Sequence, residues 1–221
     1  MKLYTHPVST TCRPIMMFAA EQGIPLDMQV VDLFTGEHIQ APYGAINPNH
    51  LIPVLEDGAF RLTESSAIMK YLADKVGSPL YPKDLQQRAR VNERMDWINT
   101  QLGREFCYGV VYPQIFPHHK RPSAEAQEAT LQWGKEHAQR WLKVLDENIL
   151  GPGNNYLCGE SLTIADFYGA AFLTLGEVVG CTFADYPNVQ RWLGRIKALK
   201  SWKEVNATFE GAAAANKGKS F

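Results

Sequence analysis

The sequence predicts an α/β domain with a small mixed sheet, followed by an all-helical domain. Three observations predict it. Strand-like and helix-like stretches alternate from Lys2 to Val76. The segment Gly77-Ser78-Pro79-Leu80-Tyr81-Pro82-Lys83-Asp84 has a linker's composition. Every patterned stretch after it keeps helical spacing. The expected division is residues 1–77 for the sheet domain, 78–85 for the linker and 86–221 for the helical domain.

Lys2 to Thr5 reads as a strand. Thr11 to Gln22 reads as a helix, with Ile15, Phe18, Ala19 and Gln22 on one face and Gly23-Ile24-Pro25 stopping it. Asp27 to Val31 alternates as a second strand, and a short helical or irregular piece runs toward Asn47-Pro48. Asp57-Gly58 between two short apolar runs signals a hairpin. Glu64 to Val76 carries the apolar stripe Ala67, Ile68, Tyr71, Leu72 and Val76. The order β-α-β-α-β-β-α, with one early crossover and one late hairpin, implies a mixed sheet.

Beyond the linker, Val91, Met95, Ile98, Leu102 and Phe106 keep helical spacing, as do Ala138, Trp141, Leu142, Leu145 and Ile149. Thr163 and Asp166 are spaced as a capping box, with Leu162 and Phe167 as its hydrophobic staple. The helix they start, Ile164 to Val178, is apolar on nearly every side and is expected at the centre of the bundle. Asn188 to Leu199 and Trp202 to Asn206 complete the set. Gly211 to Phe221 is expected to be loosely ordered unless Phe221 docks.

Composition narrows the function. The 221 residues carry 22 Lys+Arg against 23 Asp+Glu, a balance that argues against a nucleic-acid or anionic-membrane partner. No apolar run approaches the roughly 20 residues of a membrane span, and the N-terminus lacks the apolar stretch of a signal peptide. The four cysteines, Cys12, Cys107, Cys158 and Cys181, are scattered without a Cys-x-x-Cys pair, as reduced thiols in a cytoplasmic protein would be.

Several motifs together carry a resemblance. Tyr4 to Arg13 places a serine, Ser9, just before the first helix. Asp32-Leu33-Phe34-Thr35-Gly36-Glu37-His38, Ile46 to Leu55, and Leu62-Thr63-Glu64-Ser65-Ser66-Ala67-Ile68 follow in order. Tyr156-Leu157-Cys158-Gly159 and Ser161 to Asp166 close the series. Over about residues 1–206 the chain resembles the cytosolic glutathione transferases, theta or delta-like and of bacterial type. The resemblance implies a thioredoxin-like N-terminal domain with a four-stranded mixed sheet, a C-terminal helical domain, detoxification chemistry and a homodimer. It implies glutathione as co-substrate, no metal, and a small hydrophobic electrophile as second substrate. Two departures stand out: Ser66, where delta members often carry an arginine, and Thr11, where proline is frequent.

The chemistry needs a donor and positive potential at the glutathione sulfur, because a thiol of pKa about 8.5 is mostly protonated at neutral pH. The resemblance gives that role to Ser9, whose hydroxyl would donate to the sulfur. Local sequence alone reads Ser9 as a helix cap, and Thr10 and Thr11 are rival hydroxyls. Cys12 occupies the second position of a redox-like Ser-Thr-Thr-Cys turn. It reads as a packed thiol inside the helix, with a glutaredoxin-like role as the rival.

The resemblance makes Pro53 cis, leaving the Ile52 backbone for the cysteinyl part of glutathione; the alternative is a trans proline on an edge strand. It sets Glu64 on the ligand's ammonium and Ser65 on its γ-glutamyl carboxylate, where local sequence reads an ordinary helix start. It gives His38 and His50 the glycyl carboxylate, against a surface or packing role. Tyr108, Tyr112 and Phe116 are the candidate electrophile wall, with core or dimer packing as the alternative. Pro113 and Pro117 break or kink that region, and His118-His119-Lys120-Arg121 reads as solvated loop. A dehalogenase, a peroxidase and a non-catalytic glutathione-binding module remain the other readings.

Overall fold

The computed structural model describes residues 1–215 of the 221. The sheet half consists of β1 (Lys2–Thr5), α1 (Arg13–Gln22), β2 (Asp27–Val30), α2 (Ala41–Gly44), β3 (Val54–Asp57), β4 (Phe60–Leu62) and α3 (Ser65–Val76). The strand order is β2-β1-β3-β4, with β1 and β2 parallel and the other pairs antiparallel. This is the mixed four-stranded sheet expected: α1 carries the parallel crossover, and the two-residue loop Gly58–Ala59 closes the hairpin. Alternation along β1 sends Leu3 into the main core and Tyr4 into a smaller cluster with Val31, Tyr43 and Val54 on the other face.

The helical half begins with α4 (Leu85–Trp97). Wider π-type turns, Ile98–Leu102 and Arg104–Val111, continue it to α5 (Tyr112–Ile115). Then come α6 (Ala124–Val144), α7 (Ile164–Thr174), α8 (Pro187–Lys197) and α9 (Lys200–Ala215). The turns after α4 cross α6 at a pair of glycines; a Cβ on Gly134 would lie 2.5 Å from the Gly109 carbonyl oxygen, so only glycine permits the approach. Every residue of α7 is buried, as its all-round apolar sequence requires.

Several expected boundaries move. The first helix begins at Arg13 rather than Thr11, which puts Cys12 at the helix cap instead of inside the helix. The second strand stops at Val30 and the third helix starts at Ser65. α6 starts far upstream of Ala138, because the Ser123 hydroxyl caps it by accepting from Ala126 N–H at 3.2 Å. Gly211–Ala215 is helical rather than loosely ordered, since Phe209 and Ala213 are buried against Val178. Phe221 lies outside the described residues.

The capping box forms. Thr163 N–H donates to the Asp166 carboxylate at 2.8 Å. One apolar cluster runs from Leu3, Ile15, Phe18 and Leu72 of the sheet half to Phe167, Ala171 and Trp192 of the helical half. All four cysteines are free thiols.

Candidate functional site

Strand register alone gathers the expected glutathione residues at one edge of the sheet. β1 ends at Thr5 level with the end of β2 at Val30, and Tyr4 lies opposite Val54, where β3 begins. Leu62 at the end of β4 pairs with Leu55. The turn carrying Ser9, the loop carrying His38 and His50, Ile52-Pro53, and Glu64-Ser65 all leave from that edge.

At the Ser9 turn, the Ser9 carbonyl accepts from Arg13 N–H at 3.0 Å and its hydroxyl oxygen accepts from Cys12 N–H at 3.3 Å. The serine therefore braces the turn that leads into α1, whose cap position is Cys12. That bond occupies a lone pair of the hydroxyl, which also lies 3.2 Å from the Thr11 hydroxyl. Thr11 in turn donates to the Ile52 carbonyl at 3.2 Å, so its own proton is committed. Thr10 is buried near the Tyr112 hydroxyl, whose pKa it pulls down against the larger rise from burial. With Thr11 donating to Ile52, the Ser9 proton is directed at Thr11, a bond between two partly exposed hydroxyls that a ligand could replace. Cys12 is fully buried, and desolvation pushes its thiol above the ordinary range while hydrogen bonds from Ser9, Thr5 and Thr11 pull the other way. A buried thiol held protonated in this way fits a packing role better than a nucleophilic one.

Ile52–Pro53 is a cis peptide. Its loop is tied down by Tyr43 and Asn47, which donate to the Leu51 carbonyl at 2.8 and 2.7 Å. His50 and His38 come together: His50 Nδ1 lies 3.0 Å from the His38 carbonyl oxygen. A carbonyl only accepts, so Nδ1 carries the proton and Nε2 is left for another partner. Gly44 makes room for this ring, because a Cβ there would fall 2.8 Å from His50 Cε1.

Among the described residues, three other than glycine have positive φ, and two of them, His50 (φ 55°) and Glu64 (φ 64°), are candidate site residues. Glu64 stands at the N-cap position of α3 and is exposed, whereas Ser65 is buried close to the Tyr168 hydroxyl of α7. Burial pushes the Tyr168 phenol up to about 12.

Tyr108, Tyr112 and Phe116 do converge. Tyr108 meets Tyr112 edge-on at 4.8 Å, and Tyr112 lies 5.4 Å from Phe116. Tyr108 remains 55% exposed and so can take a ligand on its open face. Burial raises its phenol first, with the Cys107 thiol and the Glu64 carboxylate adding to it. His118-His119-Lys120-Arg121 is not simply solvated loop. Pro117–His119 forms a tight turn that stacks His119 on Tyr112 at 5.2 Å.

Sequence reasoning missed Tyr43, Asn47, His119 and Arg13. Arg13 is fully buried, with its guanidinium donating to Thr174 Oγ1, Asn206 Oδ1 and the Ala171 carbonyl and lying 3.5 Å from the Phe209 ring. Burial pulls it down to about 9, and Glu177 opposes that. The one available signal was local: a charge in a helix turn otherwise filled with apolar residues. Among the described residues, no group of three or more His, Cys, Asp or Glu is arranged to hold a metal ion, and no helix is long and apolar enough to cross a membrane.

Residues 8–75 match the family model described as "Glutathione S-transferase, N-terminal domain", and residues 108–200 match "Glutathione S-transferase, C-terminal domain". The chain is 32% identical over 201 residues to glutathione S-transferase theta-1 of Homo sapiens, covering 90% of this chain and 82% of that protein. Among solved structures it resembles a delta-class glutathione transferase of Nilaparvata lugens (TM-score 0.78, 31% identity, 98% and 99% of the two chains). It also resembles human glutathione transferase theta-2 solved with glutathione and an unknown ligand (TM-score 0.80, 30% identity, 100% and 93% of the two chains).

Proposed function

The chain belongs to the glutathione S-transferase family, and from that premise we propose that it binds glutathione along the sheet edge, stabilises its thiolate through Ser9 and transfers that thiolate to small hydrophobic electrophiles. The observation that carries the reading is the partly exposed Ser9 hydroxyl, whose 3.2 Å bond to Thr11 can be exchanged for one to a ligand while Thr11 keeps donating to the Ile52 carbonyl. On binding, the Ser9 proton turns from Thr11 to the sulfur, and the thiol proton leaves to solvent. The bond from Cys12 N–H stays in place and polarises the hydroxyl. The first turn of α1 adds the positive end of its dipole.

In this reading the Ile52 backbone beside Pro53 pairs with the cysteinyl unit. Glu64 and Ser65 take the ammonium and carboxylate of the γ-glutamyl end, and His50 Nε2 with His38 takes the glycyl carboxylate. Tyr108, Tyr112 and Phe116 face the electrophile, whose alkyl or aryl group is transferred. Residues 1–77 form the glutathione domain, 78–85 the linker and 86–221 the electrophile domain. The protein acts in the cytoplasm as a homodimer, as family members typically do.

Removing one preorganised donor at a developing or resident anion costs about 10²–10³ in rate. Ser9→Ala is therefore expected to lower kcat for conjugation to an aryl halide by about that factor, while Cys12→Ala retains most of the activity in a variant that still folds. Loss confined to Cys12→Ala would favour redox chemistry instead. Glutathione binding without turnover of any electrophile would favour a non-catalytic binding module.

A further inference from the structure

We propose, resting on the transferase reading above, that His119 sets which electrophiles the site accepts: its imidazole N–H donates a hydrogen bond to an oxygen conjugated with the attacked carbon, so α,β-unsaturated carbonyl compounds are favoured over simple haloalkanes. The placement starts with Pro117. Phe116 is extended (φ −111°, ψ 124°), as a residue before proline prefers, and the chain then turns through Pro117–His119. His119 N–H donates to the Phe116 carbonyl at 3.1 Å. This folds the imidazole back onto the aromatic wall: it stacks on Tyr112 at 5.2 Å and 29° and meets Tyr108 edge-on at 5.6 Å and 73°. The Tyr112 hydroxyl lies close enough to Thr10, the neighbour of Ser9, for Thr10 to favour its ionised form, so the wall that carries His119 starts beside the Ser9 turn.

The wall is otherwise apolar on its ring faces, with the Tyr112 hydroxyl turned toward Thr10 and the Tyr108 hydroxyl as the other polar atom. Among the described residues, neither ring nitrogen of His119 has a hydrogen-bond partner. Burial, then His118 and Arg121, hold the imidazole below its ordinary pKa, so it is neutral at pH 7 and offers one N–H. A neutral donor stabilises a developing oxyanion without placing a second full charge beside the thiolate's partners.

In the addition, the sulfur's electron pair forms the C–S bond at the β carbon and the C=C pair moves toward the carbonyl oxygen, where His119 meets the charge. Water then protonates the α carbon, and the hydroxide left is neutralised by the proton the thiol released on ionising. His119 keeps its proton throughout. Displacement of a halide puts the charge on the leaving group and gives His119 no oxygen to bond.

The test compares kcat/KM for cyclohexenone and for iodohexane. His119→Phe keeps a ring on the stack and removes the donor; His119→Leu replaces it where Phe fails to fold; His119→Gln restores a donor. The Phe variant should lose about tenfold or more on cyclohexenone, change less than about twofold on iodohexane, and the Gln variant should recover part of the loss. Equal loss on both substrates, or none on cyclohexenone, overturns the inference. Wild-type protein that converts iodohexane but not cyclohexenone also overturns it and leaves the transferase reading standing. Wild-type protein that holds glutathione and converts neither overturns both.

Discussion

Ser9 serves the fold and the chemistry with different parts of one hydroxyl. The oxygen accepts from Cys12 N–H and braces the turn before α1; the proton, directed at Thr11, can be exchanged to a ligand. Bracing the turn and stabilising a thiolate use different parts of the hydroxyl, so the two tasks are compatible at this residue. A charge-assisted hydrogen bond contributes about 1.5–3 kcal/mol, and one pKa unit corresponds to about 1.4 kcal/mol. Removing the Ser9 proton should therefore raise the pKa of enzyme-bound glutathione by about one to two units. The sign follows from what is stabilised: the bond favours the thiolate, so losing it favours the thiol. Ultraviolet titration of the bound thiolate in wild type and Ser9→Ala checks this, and a pKa unchanged between the two would remove Ser9 from the mechanism.

At the scale of elements, the capping box before α7 does more than its spacing advertises. Asp166 accepts from Thr163 N–H at 2.8 Å, but also from Leu157 N–H at 2.8 Å and from Trp192 Nε1–H at 2.9 Å. It pins the entry of α7 to the loop before it and to α8. A lost cap alone costs about 0.5–2 kcal/mol. Asp166→Ala, which strands four buried donors, the Thr163 hydroxyl among them, is expected to cost about 3–5 kcal/mol in urea unfolding.

Burial raises the Asp166 carboxyl from 3.8 to about 6. The folded state thus binds its proton more tightly than the unfolded chain does. Its contribution is full below pH 3.8 and is lost as pH rises through about 6. Against Asp166→Asn, which cannot titrate, wild type should lose relative stability across that window; a relative stability that rises instead would contradict the assignment. The box was legible because a cap is local: four consecutive residues and the apolar run after them suffice. The links to Leu157 and Trp192 were not, since nothing in the spacing says which donors the folded chain will bring to a carboxylate. The same reasoning covers the gathered site. Strand register brings Ser9, Pro53 and Glu64 to one edge, and that much follows from the order of strands. The stacking of His119 on Tyr112 depends on how one turn folds back, and His-His-Lys-Arg carries no pattern for it.

For the whole molecule, Arg13 shows where local reading ends. A charged residue in the first turn of α1 looks exposed until α7 and α9 close over it, and those helices come from the far end of the chain. Its guanidinium reaches Thr174, Asn206 and the Ala171 carbonyl and faces Phe209, so a single side chain of the sheet domain is held by two helices of the other. None of these acceptors is a carboxylate, and the charge is tolerated because several hydrogen bonds and an aromatic face replace its water. Around it the apolar cluster passes without interruption from β1 and α1 to α7 and α8, with Phe18 and Phe167 meeting edge-on at 6.2 Å. Two domains sharing one core should unfold together. Calorimetry and far-ultraviolet circular dichroism are expected to report one coincident transition for wild type. Arg13→Ala removes a large buried side chain and leaves its acceptors unpaired, so it should lower stability by about 3–5 kcal/mol. A wild-type protein with two separated transitions, or an Arg13→Ala protein as stable as wild type, would mean that the junction between sheet and helices is not what holds the molecule together.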